Sequence, residues 1–279
     1  MSAVTVTGLR KSYGEHEALR GIDFSIEPGE VFGLLGPNGA GKTTTVEILE
    51  GYRRRDDGDV QWLGTDPQRS GTAWRQRIGV MLQSSSLYPH LTVRESLRVF
   101  AGYYNAPRDP DEVIEIVELT EKADARVRTL SGGQQRRLDL GLALIGDPEL
   151  VFLDEPTTGF DPGARRTAWQ TIRNLRELGK TIFLTTHYLD EAAQLADRVA
   201  VLREGVVVRE GRPSELTGGE VETEIRYRRD GDVVVERTHE PTQRLHALTA
   251  EALERGEELD ALEVRRPTLE DVYLELTAE

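Results

Sequence analysis

The run Gly36-Pro37-Asn38-Gly39-Ala40-Gly41-Lys42-Thr43 constrains this chain more than any other stretch. It fills the pattern G-x-x-x-x-G-K-[ST] without a mismatch. It also sits in the context that pattern needs, after the apolar run Val31–Leu35 and before a helical pattern from Thr44 to Glu50. A strand that feeds a glycine-rich turn into a helix makes a phosphate cradle. Glycines let the backbone wrap closely, the N–H groups of the stretch from Gly36 to Thr44, other than Pro37, which has none, are expected to face inward, and the helix start adds partial positive charge. Lys42 is expected between the β- and γ-phosphates of a nucleotide, and the Thr43 hydroxyl on Mg²⁺.

A second piece completes this chemistry. Leu150-Val151-Phe152-Leu153 reads as a buried strand, with Asp154 and Glu155 emerging at its C-terminal end. Ligands of open α/β sheets bind at that edge. Asp154 is expected to hold Mg²⁺, directly or through water, and Glu155 to polarise a water for attack on the γ-phosphate. Taken alone, such a strand end fits a solvated acidic turn. Downstream of the cradle it makes the chain a P-loop nucleotide hydrolase.

The rest of the N-terminal part alternates strand-like and helical runs. Strands are expected at 78–82, 150–153, 181–185 and 198–202, and helices at 92–103, 162–178 and 189–196. That alternation predicts a mostly parallel sheet covered on both faces. The first 30 residues differ, because Val4, Val6, Phe24 and Ile26 alternate with polar neighbours, which suggests a small antiparallel sheet.

Composition closes off other classes. The chain has 279 residues and no cysteine, which excludes disulfide frameworks and thiolate sites. Its net charge of −14 argues against nonspecific nucleic-acid binding. No apolar run approaches the ~20 residues of a membrane span. Met1 to Tyr13 lacks a basic stretch followed by an apolar core, so no secretion signal is expected. These features predict a cytoplasmic protein that reaches a membrane only through a partner.

Leu130-Ser131-Gly132-Gly133-Gln134 precedes a helix with Leu138, Leu142 and Ile145 on one face. Ser131 suits a helix N-cap, and the glycines leave a second anion-binding helix start. One nucleotide has no need of two cradles. Either this is an ordinary capped helix, or it serves the nucleotide of another copy in a head-to-tail dimer.

With these residues in place, the chain resembles the ATP-binding cassette family over about residues 4–215. Leu130–Gln134 is similar to the family's signature motif, Gln83 to its Q-loop glutamine, and Thr158-Gly159-Phe160-Asp161 to its D-loop. His187 in Thr185-Thr186-His187 is similar to the switch histidine, and Tyr13 to the aromatic that stacks on adenine. Phe160 departs from the usual leucine, which bears on D-loop packing and leaves Asp161 in place. Seen singly, Gln83 also fits a solvated loop, His187 a helix start and Tyr13 a core aromatic.

The resemblance implies a P-loop NTPase cassette over 1–216. It would have a mostly parallel sheet core, an antiparallel β subdomain and an α-helical signature subdomain at about 84–148. It implies ATP and Mg²⁺ as ligands, with two cassettes enclosing two ATP–Mg²⁺ complexes. Lys42 of one copy and Ser131 and Gly133 of the other would hold each γ-phosphate, with Gly132 and Gln134 in the same nucleotide-binding motif. Gln83 would contact Mg²⁺ or the attacking water, His187 would orient the Glu155 base, and Asp161 would link the two sites.

Most of the negative charge falls in residues 217–279, after a turn expected at Thr217-Gly218-Gly219. This tail reads as a small α+β domain with strands at 221–227, 233–237 and 259–264 and helices at 241–255 and 268–276. Its ending, from Arg265 to Leu274, resembles that of cassettes serving ABC-2 type export permeases of the daunorubicin-resistance kind. The implied function is the ATPase subunit of an exporter, a homodimer on the cytoplasmic face of the membrane beside a separately encoded permease. The alternative is a soluble cassette acting on ribosomes or DNA. The single cradle, the lack of sustained heptads and the acidic balance weigh against it. Glu121-Lys122-Ala123-Asp124 is a weak echo of a guanine-reading pattern and lacks its Asn. An intact Glu155 argues against a cassette that binds without hydrolysing.

Overall fold

The expected N-terminal strands are β1 (Val4–Tyr13) and β2 (His16–Ile26), antiparallel, with Val4 opposite Ile26 and Val6 opposite Phe24. The structure is a computed structural model and describes residues 2–82, 87–218, 222–229, 232–265, 271 and 273. The chain continues through β3 (Val31–Leu35), α1 (Lys42–Leu49) and β4 (Asp57–Trp62). β4 is an addition to the expected sheet. It pairs with β1, placing Trp62 opposite Val4 and Val60 opposite Val6. α1 begins at Lys42, ahead of the expected Thr44, so the helix opens inside the cradle.

Next come α2 (Thr72–Arg75), β5 (Ile78–Met81), α3 (Val93–Ala101), α4 (Pro110–Ile116) and α5 (Gly132–Leu144). Then follow β6 (Leu150–Asp154), α6 (Pro162–Glu177), β7 (Thr181–Thr186), α7 (Leu189–Leu195), β8 (Arg198–Arg203) and β9 (Val206–Gly211). One sheet runs β5-β6-β7-β3-β8-β9, and its pairings from β5 through β8 are parallel. Both faces of this sheet are covered. Every residue of β3 is buried, as a parallel sheet with two packed faces requires.

Two cores follow from the alternation of side chains along those strands. On one face, Phe32, Phe152 and Phe183 meet Phe24 and Trp62 of the antiparallel sheet. The Phe24 and Phe32 rings stack at 5.2 Å. Burial of each such ring contributes about 1.5–3 kcal/mol. On the other face, Val151, Leu153, Ile182 and Leu184 pack with Leu97, Val113, Leu138 and Ile172 of the helices. This second core seats α5 and brings the C-terminal ends of β3, β6 and β7 to one edge.

The chain divides into two compact units, Met1–Glu210 and Gly211–Glu279. The second holds α8 (Pro213–Gly218), β10 (Thr223–Arg229), β11 (Asp232–Thr238), α9 (Pro241–Arg255) and β12 (Asp260–Arg265). Its sheet runs β11-β10-β12, and Ile225 and Tyr227 pack against Leu245 and Leu248 of α9. Thr217 and Gly218 close α8, which corrects the turn expected there. Gly219, Val221 and most of the expected helix at 268–276 lie outside the described residues. Among the described residues, no helix is long and apolar enough to cross a membrane.

Candidate functional site

The loop after β3 is shaped by close approaches. A Cβ on Gly36 would meet the Leu202 carbonyl at 2.5 Å. Gly41 has φ of 109°, and a Cβ there would lie 2.7 Å from the Ala18 carbonyl. Only glycine tolerates both demands at that position. α1 starts at Gly41 with no side-chain cap and no acidic residue in its first turn. A helix start left open in this way favours an anion.

Lys42 is 6% exposed, and its ammonium donates to the Gly36 carbonyl at 2.7 Å and the Pro37 carbonyl at 3.2 Å. Burial pushes its pKa down, while Glu155 and Asp154 pull it back up.

Parallel pairing sets Asp154 opposite Thr185. The Thr185 hydroxyl donates to the Asp154 carboxylate, and burial raises the Asp154 pKa against that bond. Glu155 follows in the left-handed region, at φ of 47°, with its N–H on the Thr185 carbonyl at 3.0 Å. Such a conformation costs a non-glycine residue about 1–3 kcal/mol and persists only under outside support. The Glu155 carboxylate is 3.2 Å from His187 Nδ1, and it accepts from the Thr158 hydroxyl at 3.2 Å. A buried carboxylate beside an imidazole, at the mouth of a phosphate cradle, has the makings of a general base.

Tyr13 is 41% exposed at the end of β1, and its hydroxyl lies 3.4 Å from that of Thr44 in α1. Its ring is flanked by Lys11 and Arg53, with the Arg53 guanidinium 5.2 Å from the centroid. The ring thus stands beside the cradle with an exposed face. For Mg²⁺, the chain offers the Thr43 hydroxyl and the Asp154 carboxylate, a sparse set of hard oxygen ligands. That donor set fits a cation that keeps waters and takes phosphate oxygens as further ligands.

Gln83 lies outside the described residues. Two other groups cap helix starts. Ser131 caps α5 through a capping box, accepting from the Gln134 N–H at 3.3 Å while the Gln134 side chain accepts from the Ser131 N–H at 3.0 Å. α5 packs on β5, α3 and α4, whereas α1 packs on β2 and β6. Asp161 caps α6, accepting from the N–H groups of Gly163 and Ala164. Both side chains are exposed.

In the sequence, Thr158 and Thr185 have no role beyond their places in the D-loop and histidine runs, and Arg136 is not singled out. Thr185 was visible only as part of the Thr185-Thr186-His187 run, and its partner depends on register between β6 and β7. Arg136 has a second arginine beside it, Arg137, and its carbonyl partners lie 18 to 54 residues away, so no local pattern marks it.

Comparison with known proteins agrees with this geometry. The family model described as ABC transporter matches residues 19–158. The Nod factor export ATP-binding protein I of Paraburkholderia xenovorans is 40% identical, over 99% of this chain and 97% of that protein. The Daunorubicin resistance ATP-binding protein DrrA3 of Streptomyces coeruleorubidus is also 40% identical, over 100% of this chain and 96% of its own. Among solved structures, an ATP-binding cassette of an ABC transporter in its ADP conformation has a TM-score of 0.69 at 26% identity, covering 77% of this chain and 92% of that one. A dimeric post-hydrolysis cassette bound to ADP and Pi has a TM-score of 0.67 at 27% identity, covering 75% and 98%.

Proposed function

The chain belongs to the ABC transporter family of ATP-binding cassettes, and on that footing we propose that it is the ATP-hydrolysing subunit of an exporter. Two copies close on two ATP molecules, and closure does work on a separately encoded ABC-2 type permease at the cytoplasmic face of the membrane. The names of two relatives that match nearly end to end, one in Nod factor export and one in daunorubicin resistance, support the export reading. The cassette corresponds to the first compact unit, Met1–Glu210, and the added α+β domain to the second, Gly211–Glu279, a boundary a few residues before the 216/217 expected from the sequence.

The observation that carries the reading is the buried Glu155 carboxylate, 3.2 Å from His187 Nδ1 and accepting from the Thr158 hydroxyl. In this scheme Tyr13 stacks on adenine, and Gly36 through Thr44 wrap the phosphates. Lys42 moves from its loop carbonyls onto the β- and γ-phosphates. Thr43, Asp154 and Gln83 would hold Mg²⁺, which would supply neutralisation of phosphate charge. Glu155 takes the proton of the attacking water, with His187 holding both the carboxylate and the γ-phosphate in line. Ser131, Gly132, Gly133 and Gln134 of the second copy complete the phosphate shell, and Asp161 lies at the seam.

The test is Glu155→Gln. The variant keeps the cradle and loses the base, so it should bind ATP–Mg²⁺, stop turning it over, and elute as a dimer in size-exclusion chromatography. Undiminished hydrolysis would remove Glu155 from the base role. Copurification of a multispanning membrane protein with the full chain tests the exporter assignment separately.

A further inference from the structure

Arg136 stands on α5, one turn beyond Ser131, and its side chain is only 10% exposed. Its guanidinium is spent on main-chain oxygens. Nη2 donates to the carbonyls of Asp154 at 3.0 Å and Glu155 at 3.2 Å, Nε to that of Pro156 at 3.3 Å, and Nη1 to that of Leu82. Its nearest carboxylate, Asp139, stands 3.9 Å away. A planar fork with donors on several edges is suited to bridging a set of carbonyls, which a single ammonium cannot span.

Three of those carbonyls belong to the turn that carries the base. Glu155 holds a left-handed φ of 47°, which needs outside support. Part of that support comes from β7, through the Glu155 N–H bond to Thr185. The acceptor side of the same turn is held by Arg136. Because Arg136 is rooted in α5, the helix that carries Ser131 at its start is tied to the backbone that aims the Glu155 carboxylate.

We propose that Arg136 is a positioning residue that couples the two halves of the shared site. It holds the 154–156 carbonyls so that the Glu155 carboxylate stays beside His187, and it carries any shift of α5 into that turn. This rests on the two-copy reading above. Under that reading Ser131 of one copy engages the nucleotide held by the other. Arg136 then passes that engagement to Glu155 of its own copy, which acts on the nucleotide in its own cradle. Each site thereby primes hydrolysis at the other.

The experiment compares the purified full-length wild type with Arg136→Gln and Arg136→Lys. It measures kcat, KM and Hill coefficient for ATP–Mg²⁺, with ATP affinity taken by calorimetry on the same samples. In both variants kcat should fall on the order of 10- to 100-fold, the scale expected when a reacting group is misplaced by about an ångström. The Hill coefficient should fall to about 1, as independent sites require. ATP affinity should stay within about twofold, since Arg136 touches no part of the cradle. Lysine restores charge and not the fork, so it should not rescue.

Wild-type kcat and cooperativity in Arg136→Gln would overturn the proposal, and so would full rescue by Arg136→Lys. A fall in kcat with cooperativity retained would overturn the coupling. Should Arg136→Gln fail to fold, Arg136→Lys carries the same readouts. A wild type that itself shows no cooperativity, with a rate indifferent to dilution, would instead bring down the two-copy reading beneath the proposal.

Discussion

Glu50 closes α1 with its Oε1 buried and, among the described residues, without a hydrogen-bond partner. Burial, with Asp154 and Glu47 nearby, pushes its pKa up to about 8. Well below the unfolded carboxylate value, both states are protonated and nothing is lost. As pH rises from there toward about 8, the unfolded chain ionises while the folded chain keeps its proton, so stability falls through that window and then levels. The total is on the order of a few kcal/mol. Glu50→Gln cannot ionise, so its denaturation midpoint should fall less than the wild type's between those pH values; parallel slopes would refute this. Lys42 shows the opposite economy. Its ammonium is held by two loop carbonyls and is already desolvated, so Lys42→Ala should leave the melting temperature of the ligand-free protein little changed. ATP affinity should drop about 10- to 100-fold, the value of a charge-assisted phosphate contact, and calorimetry would read it. Both residues mark the reach of sequence reading. Lys42 was legible because its motif states a role. Glu50 was not, because nothing local says that a helix-end carboxylate will be packed near another strand's acid.

Most elements announced themselves, for reasons visible at their ends. Asp161-Pro162, Ser131 with Gln134, and Thr92 with Glu95 are start signals, and each caps the helix it precedes. β3, β6 and β7 were readable as short apolar runs because parallel strands bury both faces. What stayed hidden was non-local. β4 alternates like any half-buried strand, but only its pairing to β1, across the whole cradle, makes it the third strand of that sheet. The same holds for the Asp154–Thr185 bond and the Arg136 clamp, each set by tertiary register rather than spacing. Two capping boxes of the same design allow a matched comparison. Thr92→Ala and Ser131→Ala should each cost about 1 kcal/mol of stability, since each removes the same bond to a third helical N–H. Only Ser131→Ala should also lower ATP turnover, because α3 starts away from any nucleotide in the proposed site. Chemical denaturation beside a steady-state ATPase assay checks both, and equal losses of activity in the two variants would reduce the Ser131 box to a cap.

At the scale of the molecule, the first unit carries two helix starts of different character. α1 opens with no side-chain cap, no acid and a buried lysine, so its anion affinity is unspent. α5 is capped by its own serine, whose hydroxyl oxygen accepts locally while its proton remains available to an incoming acceptor. The elements around α5 differ from those around α1, and under the proposed function the α5 start serves a phosphate held by a second copy. Both glycine-rich turns have exposed tips, Pro37 to Gly39 in one and Ser131 and Gly132 in the other. Under the proposed function hydrolysis requires an encounter between two chains, so the rate per molecule should depend on concentration. Below the dimerisation constant, the total rate should rise with the square of protein concentration, and the rate per chain should fall in proportion on dilution. Above it, the rate per chain should plateau. Ser131→Arg should bind ATP as a monomer and show no second-order rise, because the blocked helix start belongs to the neighbour's site. A rate per chain that stays flat over about a hundredfold dilution, with sedimentation showing monomers throughout, would mean that one chain supplies every group the phosphate needs.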